Sequence, residues 1–220
     1  MTDLADWQGC AAPAPIVHQG QYARLEPLDW NAHLTGLSAA LIGKGREELW
    51  TYLPSGPFSE PQDFQNWLES ARTTLEDPWL TFVVRSESGA ADGILSFMRQ
   101  RPAHGSVEVG CVIYGSALAR TRAATEAVFL LARHLFDDLG YRRFEWKCNA
   151  RNAASRRAAE RFGFVYEGTF RHDLVVKGAN RDTSWYAMTD DDWPAIKHRF
   201  ELWLSPENFD DTGQQRCKLR

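Results

Sequence analysis

The segment 120–125, Arg-Thr-Arg-Ala-Ala-Thr, has the residue types of an anion-binding site. It links a predicted strand to the first turn of a predicted long helix. That first turn presents unpaired backbone N–H groups and the positive end of the helix dipole. Because residues 123–125 are small, a phosphate can approach these amides. Arg120 and Arg122 add charge that suits a pyrophosphate, although an ordinary capped helix with two solvated arginines would show the same pattern.

A second polar motif begins at Asn152, at the predicted start of a short helix. The side chain of an Asn at this position can accept a hydrogen bond from a backbone N–H of the first turn. Ser155 follows at the third helical position, and Gly163 ends the helix. Alone, these residues predict only a well-capped helix. Their significance comes from their order after the segment 120–125.

Strands and helices alternate along the chain and must position these two motifs. Apolar patterns predict strands over residues 22–28, 80–85, 93–99, 107–114, 143–148, 164–170 and 183–188. Helical spacing and cap residues predict helices over residues 29–41, 123–139, 152–163 and 190–204, and a further helix that Ser59 opens in a capping box with Gln62. An irregular loop over residues 43–58 and a polar loop over residues 177–182 are also predicted.

These elements predict an α/β (α+β) fold with a single mixed, largely antiparallel central sheet and helices on both faces. The short connections between the strands in residues 80–114 make those neighbours antiparallel. Residues 1–20 are predicted to be an N-terminal arm, residues 21–204 the domain, and residues 205–220 a loose polar tail.

The composition excludes several classes of function. The 220 residues are 44% hydrophobic and 25% charged, which is ordinary for a globular domain. A net charge of −4 lacks the basic field that sequence-independent nucleic-acid binding needs. We expect no metal, because the six histidines and the cysteines lack ligand spacing, and inert thiols where apolar residues surround Cys111 and Cys148. No signal peptide or membrane span is predicted, and we expect a cytoplasmic protein with reduced thiols.

Together and in this order, the motifs resemble those of the GCN5-related N-acetyltransferases, in the branch that includes the ribosomal-protein alanine acetyltransferases. The resemblance covers residues 22–193 and is strongest over residues 123–168. The matching motifs are Thr125-Glu126-Ala127, Asn152-x-x-Ser155, Gly163-Phe164, Glu167-Gly168, Arg181-Asp182-Thr183 and Trp193. The resemblance implies an acetyl-CoA-dependent N-acetyltransferase whose acceptor is a primary amine: a protein N-terminus, an amino acid, an aminoacyl nucleotide or another small amine.

The resemblance also implies roles for the two motifs. The strands 107–113 and 143–148 would splay apart, and the pantetheine arm of the cofactor would pair with the backbone near Cys111 and Ile113. Asn152 would contact the cofactor arm, and Ser155 would give a proton to the departing thiolate. The amine would attack the thioester directly, so the enzyme would supply positioning and a polarised carbonyl. The pyrophosphate would lie on the amides of Arg120, Thr121, Arg122, Ala123, Ala124 and Thr125.

The phosphate loop departs from the family pattern. That pattern has Gln or Arg, two residues, Gly, one residue, and then Gly or Ala. Ala119, Arg122 and Ala124 stand at the matching positions here. Glycine adopts positive φ and allows close approach more easily than arginine does. Either Arg120 takes over the charge role, or the cofactor binds more weakly or in another shape.

Glu108, His172 and Asp173 are the candidates for the general base that must take a proton from the amine. Glu108 lies between two valines, so its plain interpretation is the solvent face of a strand. The ribosomal branch places a Glu a few residues after the Glu-Gly pair, and Leu174 occupies that position here. Because leucine cannot accept a proton, the neighbouring His172 and Asp173 remain candidates.

The aromatic residues Trp50, Tyr52 and Phe58 either line the acceptor pocket or form core under the loop 43–58. Two further hypotheses stay open. The altered phosphate loop and Leu174 fit a non-catalytic acyl-CoA-binding or partner-docking module, and the acyl donor could be another thioester such as succinyl-CoA. A homodimer also stays open, because paired dimers are common for this fold.

Overall fold

A computed structural model describes residues 4–219. Its strands are β1 (His18–Gln19), β2 (Ala23–Pro27), β3 (Leu80–Ser86), β4 (Ala91–Arg101), β5 (Ser106–Tyr114), β6 (Arg143–Asn149), β7 (Val165–Val176) and β8 (Ala179–Thr189). Its α-helices are α1 (Trp30–Leu41), α2 (Pro61–Thr73), α3 (Arg122–Arg133), α4 (Ala153–Arg161) and α5 (Trp193–Leu204). Short 3-10 helices span Glu47–Trp50, Pro102–His104 and Pro206–Asn208, and a π-helical turn, His134–Asp138, extends α3.

All eight strands form one sheet in the order β1-β2-β3-β4-β5-β6-β8-β7. The β5–β6 pair is parallel, and the other pairs described are antiparallel. The chain reaches β6 from β5 through α3, because a parallel neighbour needs a crossover connection. The predicted mixed, largely antiparallel sheet is confirmed.

Helices cover both faces of the sheet, as predicted. On one face α3 and α5 bury Val128 and Phe200 in the same apolar cluster as Phe82 of β3. On the other face α1 and α2 bury Leu37 and Phe64 beside the sheet residues Val83 and Ile94. Each large apolar side chain that is fully buried contributes about 1.5–3 kcal/mol. The two apolar layers therefore hold the sheet between them.

The strands β5 and β6 separate part-way along their length. They pair from Ser106 opposite Arg143 to Val109 opposite Trp146, and the pairing ends there. On its other side β5 has a register shift against β4, and Cys111 adopts a left-handed φ of 48°. The bulge turns β5 away from its parallel neighbour. The predicted splayed strand pair is confirmed.

Glu126 of the Thr-Glu-Ala motif joins α3 to the start of the sheet. Its buried carboxylate accepts hydrogen bonds from the backbone N–H groups of Gln21 at 2.9 Å, Tyr22 at 2.6 Å and Ala23 at 2.7 Å. A charged acceptor on three amides compensates for the loss of its hydration. The motif residue is therefore a structural clamp between α3 and β2.

Two local predictions need correction. The polar stretch 177–182 is a tight turn at Lys177-Gly178 within a long β7–β8 hairpin, because both turn residues have positive φ, 49° and 74°, as a type I′ turn requires. Helix α2 begins at Pro61 after Glu60, without a side-chain cap, so the capping box at Ser59 is wrong. Proline starts this helix well because its φ is already helical.

The two ends of the described chain pack on the domain. Trp7 donates its indole N–H to the Ala103 carbonyl at 2.8 Å on the N-terminal side. The predicted loose tail is wrong over its described part, because Phe209 and Leu219 are only 8% and 6% exposed. The Trp203 indole also donates to Gln215 Oε1 at 2.8 Å. Two apolar side chains thus fasten a segment whose other residues are mostly polar. None of the helices within residues 4–219 is both long enough and apolar enough to cross a bilayer.

Candidate active site

A continuous cleft of about 1430 Å³ opens where β5 and β6 separate. One part reaches the first turn of α3 and the C-terminal segment; we call it the α3 end. The other part is lined by Tyr52, Trp67, Trp79, Glu108 and Arg181; we call it the Glu108 end. The two ends meet beside Cys111, Trp146 and Ser155.

The first turn of α3 leaves backbone donors for a ligand. Thr121 is the N-cap, and its Oγ1 accepts a hydrogen bond from Ala124 N at 3.1 Å. Thr125 N bonds to the Thr121 carbonyl at 3.3 Å. The N–H groups of Arg122 and Ala123 have no acceptor within residues 4–219, as expected for the first positions of a helix. These amides line the cleft and fit an anion.

Arg120 and Arg122 differ in their surroundings. Arg120 is exposed, lines the cleft and adopts a left-handed φ of 66°. The loop therefore places its positive φ at residue 120, and Arg122 takes an ordinary helical position in spite of the missing glycine. The Arg122 guanidinium lies 4.4 Å from the Tyr22 ring and 4.9 Å from the Phe209 ring, and 3.6 Å from Glu87 Oε2. Arg122 is thus held by the protein itself, whereas Arg120 is free to meet a ligand.

Arg161 was not among the predicted site residues, yet it lines the α3 end. Its Nη1 donates to Thr125 Oγ1 at 3.0 Å, and its guanidinium lies 4.7 Å from the Trp203 ring centroid. Burial lowers the pKa of this guanidinium. Arg157, one helical turn earlier, also lines the cleft. The spacing of four residues between these arginines was a signal in the sequence, because such residues share one helix face.

Asn152 and Ser155 lie at the middle of the cleft. Asn152 Oδ1 accepts a hydrogen bond from Ser155 N at 3.0 Å, which confirms the predicted cap of α4. Ser155 Oγ accepts a hydrogen bond from the Trp146 indole at 3.0 Å. Since that bond uses a lone pair of the oxygen, the hydroxyl hydrogen can be donated to Cys148 or to a group in the cleft.

The two thiols near this point stay protonated. Burial raises the pKa of Cys111 to about 12. Burial also raises the pKa of Cys148, which outweighs the opposing hydrogen bond with Ser155. A protonated thiol is a weak nucleophile. Neither cysteine is therefore set up to form a covalent intermediate.

Glu108 lies at the floor of the cleft and is 3% exposed, so the solvent-face interpretation is wrong. Its Oε2 is 2.7 Å from Arg99 Nη1 and 3.0 Å from Lys147 Nζ. Lys147 also lies 2.9 Å from Glu145 Oε2. Glu145 and Lys147 alternate with Phe144 and Trp146 along β6, so they share one side of the strand, and this network of charges covers that side.

The environment of Glu108 suits a proton acceptor. Burial raises its pKa, and the charges of Arg99 and Lys147 oppose that effect. Both cations bind Oε2, whereas Oε1 accepts no hydrogen bond from residues 4–219. A Cβ at Gly110 would clash with Met98 Sδ and lie 3.0 Å from Oε1, so the glycine makes room for the Met98 side chain beside this oxygen.

His172 and Asp173, the other candidates for a base, do not line the cleft. The β7–β8 register shifts between Phe170 and Leu174. His172 adopts a φ of 54°, and its backbone N–H bonds to Asp182 Oδ1 at 2.7 Å. The register shift leaves Leu174 on the cleft wall in place of the two candidates.

Of the three aromatic residues predicted for the acceptor pocket, Tyr52 lines the cleft, and Trp50 and Phe58 do not. Trp50 is fully buried; its indole donates to the Leu41 carbonyl at 2.9 Å and packs against Phe58, with 4.9 Å between ring centroids. Trp50 and Phe58 are therefore core under the loop. Lys177 at the tip of the β7–β8 hairpin donates to the Trp50 carbonyl at 2.8 Å, which fastens the hairpin to this loop.

Comparisons with known proteins agree with this architecture. The family model described as "Acetyltransferase (GNAT) domain" matches residues 24–165. A GCN5-related N-acetyltransferase from Brucella melitensis is 43% identical, with a TM-score of 0.93 over 97% of this chain and 96% of that one. A probable acetyltransferase of the GNAT family from Chromobacterium violaceum is 41% identical, with a TM-score of 0.79 over 88% and 96%.

A spermidine N-acetyltransferase from Vibrio cholerae, solved with CoA and spermine, shares the fold at 14% identity, with a TM-score of 0.63 over 80% of this chain and 99% of that one. No protein with a curated description matches the chain. The family model covers more than half of the sequence, and the Brucella relative is similar over nearly its whole length. The chain therefore belongs to the GNAT family of acetyltransferases and is an enzyme that transfers acetyl groups to amines.

Proposed function

We propose that the protein transfers the acetyl group of acetyl-CoA directly to a primary amine, with Glu108 as the general base and Ser155 as the acid. The observation that supports this proposal is the continuity of the cleft. It joins free amides at one end, a hydroxyl in the middle and a buried carboxylate at the other end. Such an order matches a donor with a phosphate end and a reactive thioester beside an amine.

The α3 end fits the donor substrate. The amides of Arg122 and Ala123 and the side chain of Arg120 are placed for its pyrophosphate. Beyond Val109, no strand of the described residues pairs with the side of β5 that faces β6. An extended pantetheine arm can pair there as an added strand would. This region includes Cys111 and Val112, and it ends near Ser155.

In the proposed reaction the acceptor nitrogen attacks the thioester carbonyl, so an N–C bond forms and the C–S bond breaks. Glu108 Oε1 takes the proton that the nitrogen must lose. Ser155 gives its hydroxyl proton to the departing sulfur, and the proton held by Glu108 then returns to Ser155 through solvent, which resets both residues. The Trp146 indole, which donates to Ser155 Oγ, stabilises the charge that develops on this oxygen.

Within the family, we place the chain beside the ribosomal-protein alanine acetyltransferases. The motifs Asn152-x-x-Ser155 and Arg181-Asp182-Thr183 support this placement. A structure described as "a putative ribosomal-protein-serine acetyltransferase from Vibrio cholerae" shares the fold at 16% identity, with a TM-score of 0.64 over 80% of this chain and 99% of that one. The chain has Leu174 where that branch has its expected base. We therefore assign the base to Glu108 on the opposite wall.

The test compares Glu108→Gln with the control Glu201→Gln, whose side chain is exposed on α5. Thioester consumption is followed with a panel of primary amines, and CoA affinity is measured by calorimetry. We expect E108Q to lower turnover by roughly 100- to 10,000-fold and to leave CoA affinity unchanged. It should also remove the rise of kcat/KM with pH that titration of the base produces. Wild-type turnover with no amine of the panel, or full activity of E108Q, would refute the proposal.

A further inference from the structure

The charges at the Glu108 end are not balanced. Three cations, Arg99, Lys147 and Arg181, line this part of the cleft with one carboxylate, Glu108. Arg99 and Lys147 both bind that carboxylate. Glu145, behind Lys147, also binds Arg101 at 2.6 Å. The acids of the network are thus already shared among several cations.

Among these three cations, Arg181 is the one without an ion-pair partner in the described part of the chain. Its Nε donates to Thr183 Oγ1 at 3.2 Å, and it forms no ion pair within residues 4–219. Burial lowers the pKa of the guanidinium, and the charge of Asp173 opposes this effect without a direct contact. A half-buried cation that lacks an anion is costly, because it gives up hydration without compensation.

The position of Arg181 in the hairpin holds its guanidinium at the cleft. It pairs with Leu174 across β7 and β8, just beyond the bulge, and both residues line the cleft. The bond from Nε to the buried Thr183 fixes one edge of the guanidinium. The two terminal nitrogens are left, and they have the spacing to bind both oxygens of a carboxylate.

Apolar and aromatic side chains form the rest of the Glu108 end. Trp67, Trp79, Met98 and Leu174 provide walls that fit an apolar group of moderate size. A polyamine would bring further positive charge to a region where cations already exceed acids. A peptide N-terminus has an amide where a free amino acid has its carboxylate.

We propose that the acceptor is an amine with a free carboxylate, an α-amino acid or a close analogue, whose carboxylate binds Arg181 while its apolar side chain lies against Trp67 and Trp79. Its amino group then reaches Glu108. This inference rests on the proposed function, and it narrows the acceptor class for the same site.

The test uses two matched series of acceptors: phenylalanine, phenylalaninamide and phenethylamine, and leucine, leucinamide and isopentylamine. Acetylation is measured by thiol release at equal pH, with corrections for the different amine pKa values. We expect kcat/KM for the acids to exceed that for the amides and the decarboxylated amines by about tenfold to a hundredfold. In Arg181→Gln the ratio of acid to amide should fall toward one, mainly through the KM of the acid. Arg181→Lys keeps the positive charge but lacks the pair of terminal nitrogens that can bind both carboxylate oxygens. Its ratio of acid to amide should therefore lie between those of the wild type and Arg181→Gln.

Arg171→Gln is the matched control, because Arg171 is exposed on the same hairpin and does not line the cleft. Arg171→Gln should keep the wild-type ratio of kcat/KM for the acid to kcat/KM for the amide. Binding of the same acceptors to CoA-loaded protein, followed by tryptophan fluorescence, gives a readout that does not depend on turnover. Equal affinity for acids and amides, an equal effect of R181Q on both, or no binding of any acid would overturn the inference. Acetylation of all amines without regard to the carboxylate would overturn this inference and leave the proposed function intact. Carboxylate-selective binding without turnover would support the inference and refute the proposed function.

Discussion

Replacement of Arg120 and of Arg122 by alanine should have different effects, although the two residues are close neighbours in the phosphate loop. Arg122 lies between the rings of Tyr22 and Phe209 and beside Glu87, whereas Arg120 is exposed at the cleft. Arg122 therefore joins the C-terminal segment to the start of the sheet. Arg120 makes no comparable contacts between segments within the described chain.

The magnitudes follow from these contacts. Each cation–π contact contributes about 0.5–1 kcal/mol at a partly exposed site, and an ion pair of this length on the surface adds little. Arg122→Ala should thus lose about 1–2 kcal/mol of stability, which lowers Tm by about 2–8 °C in a chain of this size. Arg120→Ala replaces one L residue by another at the same positive φ, so Tm should hardly change. The loss of one charged contact to phosphate should weaken CoA binding by about threefold to tenfold.

The assay is calorimetric titration with desulfo-CoA, together with thermal unfolding of both variants. The affinity difference between wild type and R120A should shrink at high salt, because the contact is exposed and screened. Arg120→Gly serves as a further comparison, since it removes the same charge and relieves the strain of the positive φ. A loss of CoA affinity in R122A as large as that in R120A, at unchanged Tm, would refute the division of roles.

Two further predictions concern Ser155 and His18. Ser155→Ala should lower turnover more than CoA affinity and cost about 1–3 kcal/mol of stability, because the Trp146 indole loses its acceptor; unchanged turnover would remove Ser155 from the mechanism. The pKa of His18 is lowered to about 4, mainly by burial and to a smaller extent by the neighbouring charge of His134. The unfolded chain binds a proton near pH 6.5 and the folded chain only near pH 4, so the free energy of unfolding should fall as pH drops through this window. His18→Gln should reduce that fall, measured by urea unfolding at several pH values, and an identical pH dependence in both proteins would contradict it.

Local patterns in the sequence were enough to predict most elements of the fold. The alternation in residues 143–148 predicted β6, the cap at Asn152 predicted α4, and short connections predicted the antiparallel strands. These features depend on side chains within a few residues of one another, so they can be recognised without the fold. The hairpin turn at Lys177-Gly178 was missed because the polar strand residues after it resemble a loop.

The residues of the site were harder to predict from the sequence, because more of them are brought together only by the tertiary structure. The sequence indicated the helix start, Asn152 and Ser155 because each belongs to a local motif with a known physical role. It could not show that Arg122 packs against Tyr22 and Phe209, since these residues are far apart in the chain. It also could not place Arg161 at the cleft, although the spacing with Arg157 was visible.

Glu108 shows the difference most clearly. By sequence it is a polar residue between two valines, which is the pattern of a strand with one solvated face. In the folded protein Arg99 and Lys147, from the strands on either side, cover that face and bury the carboxylate. The sequence alone determined that residue 108 points away from the apolar core. Only the tertiary structure decided what lies on the other side, because burial and charge pairing depend on residues that the fold brings together from distant parts of the chain.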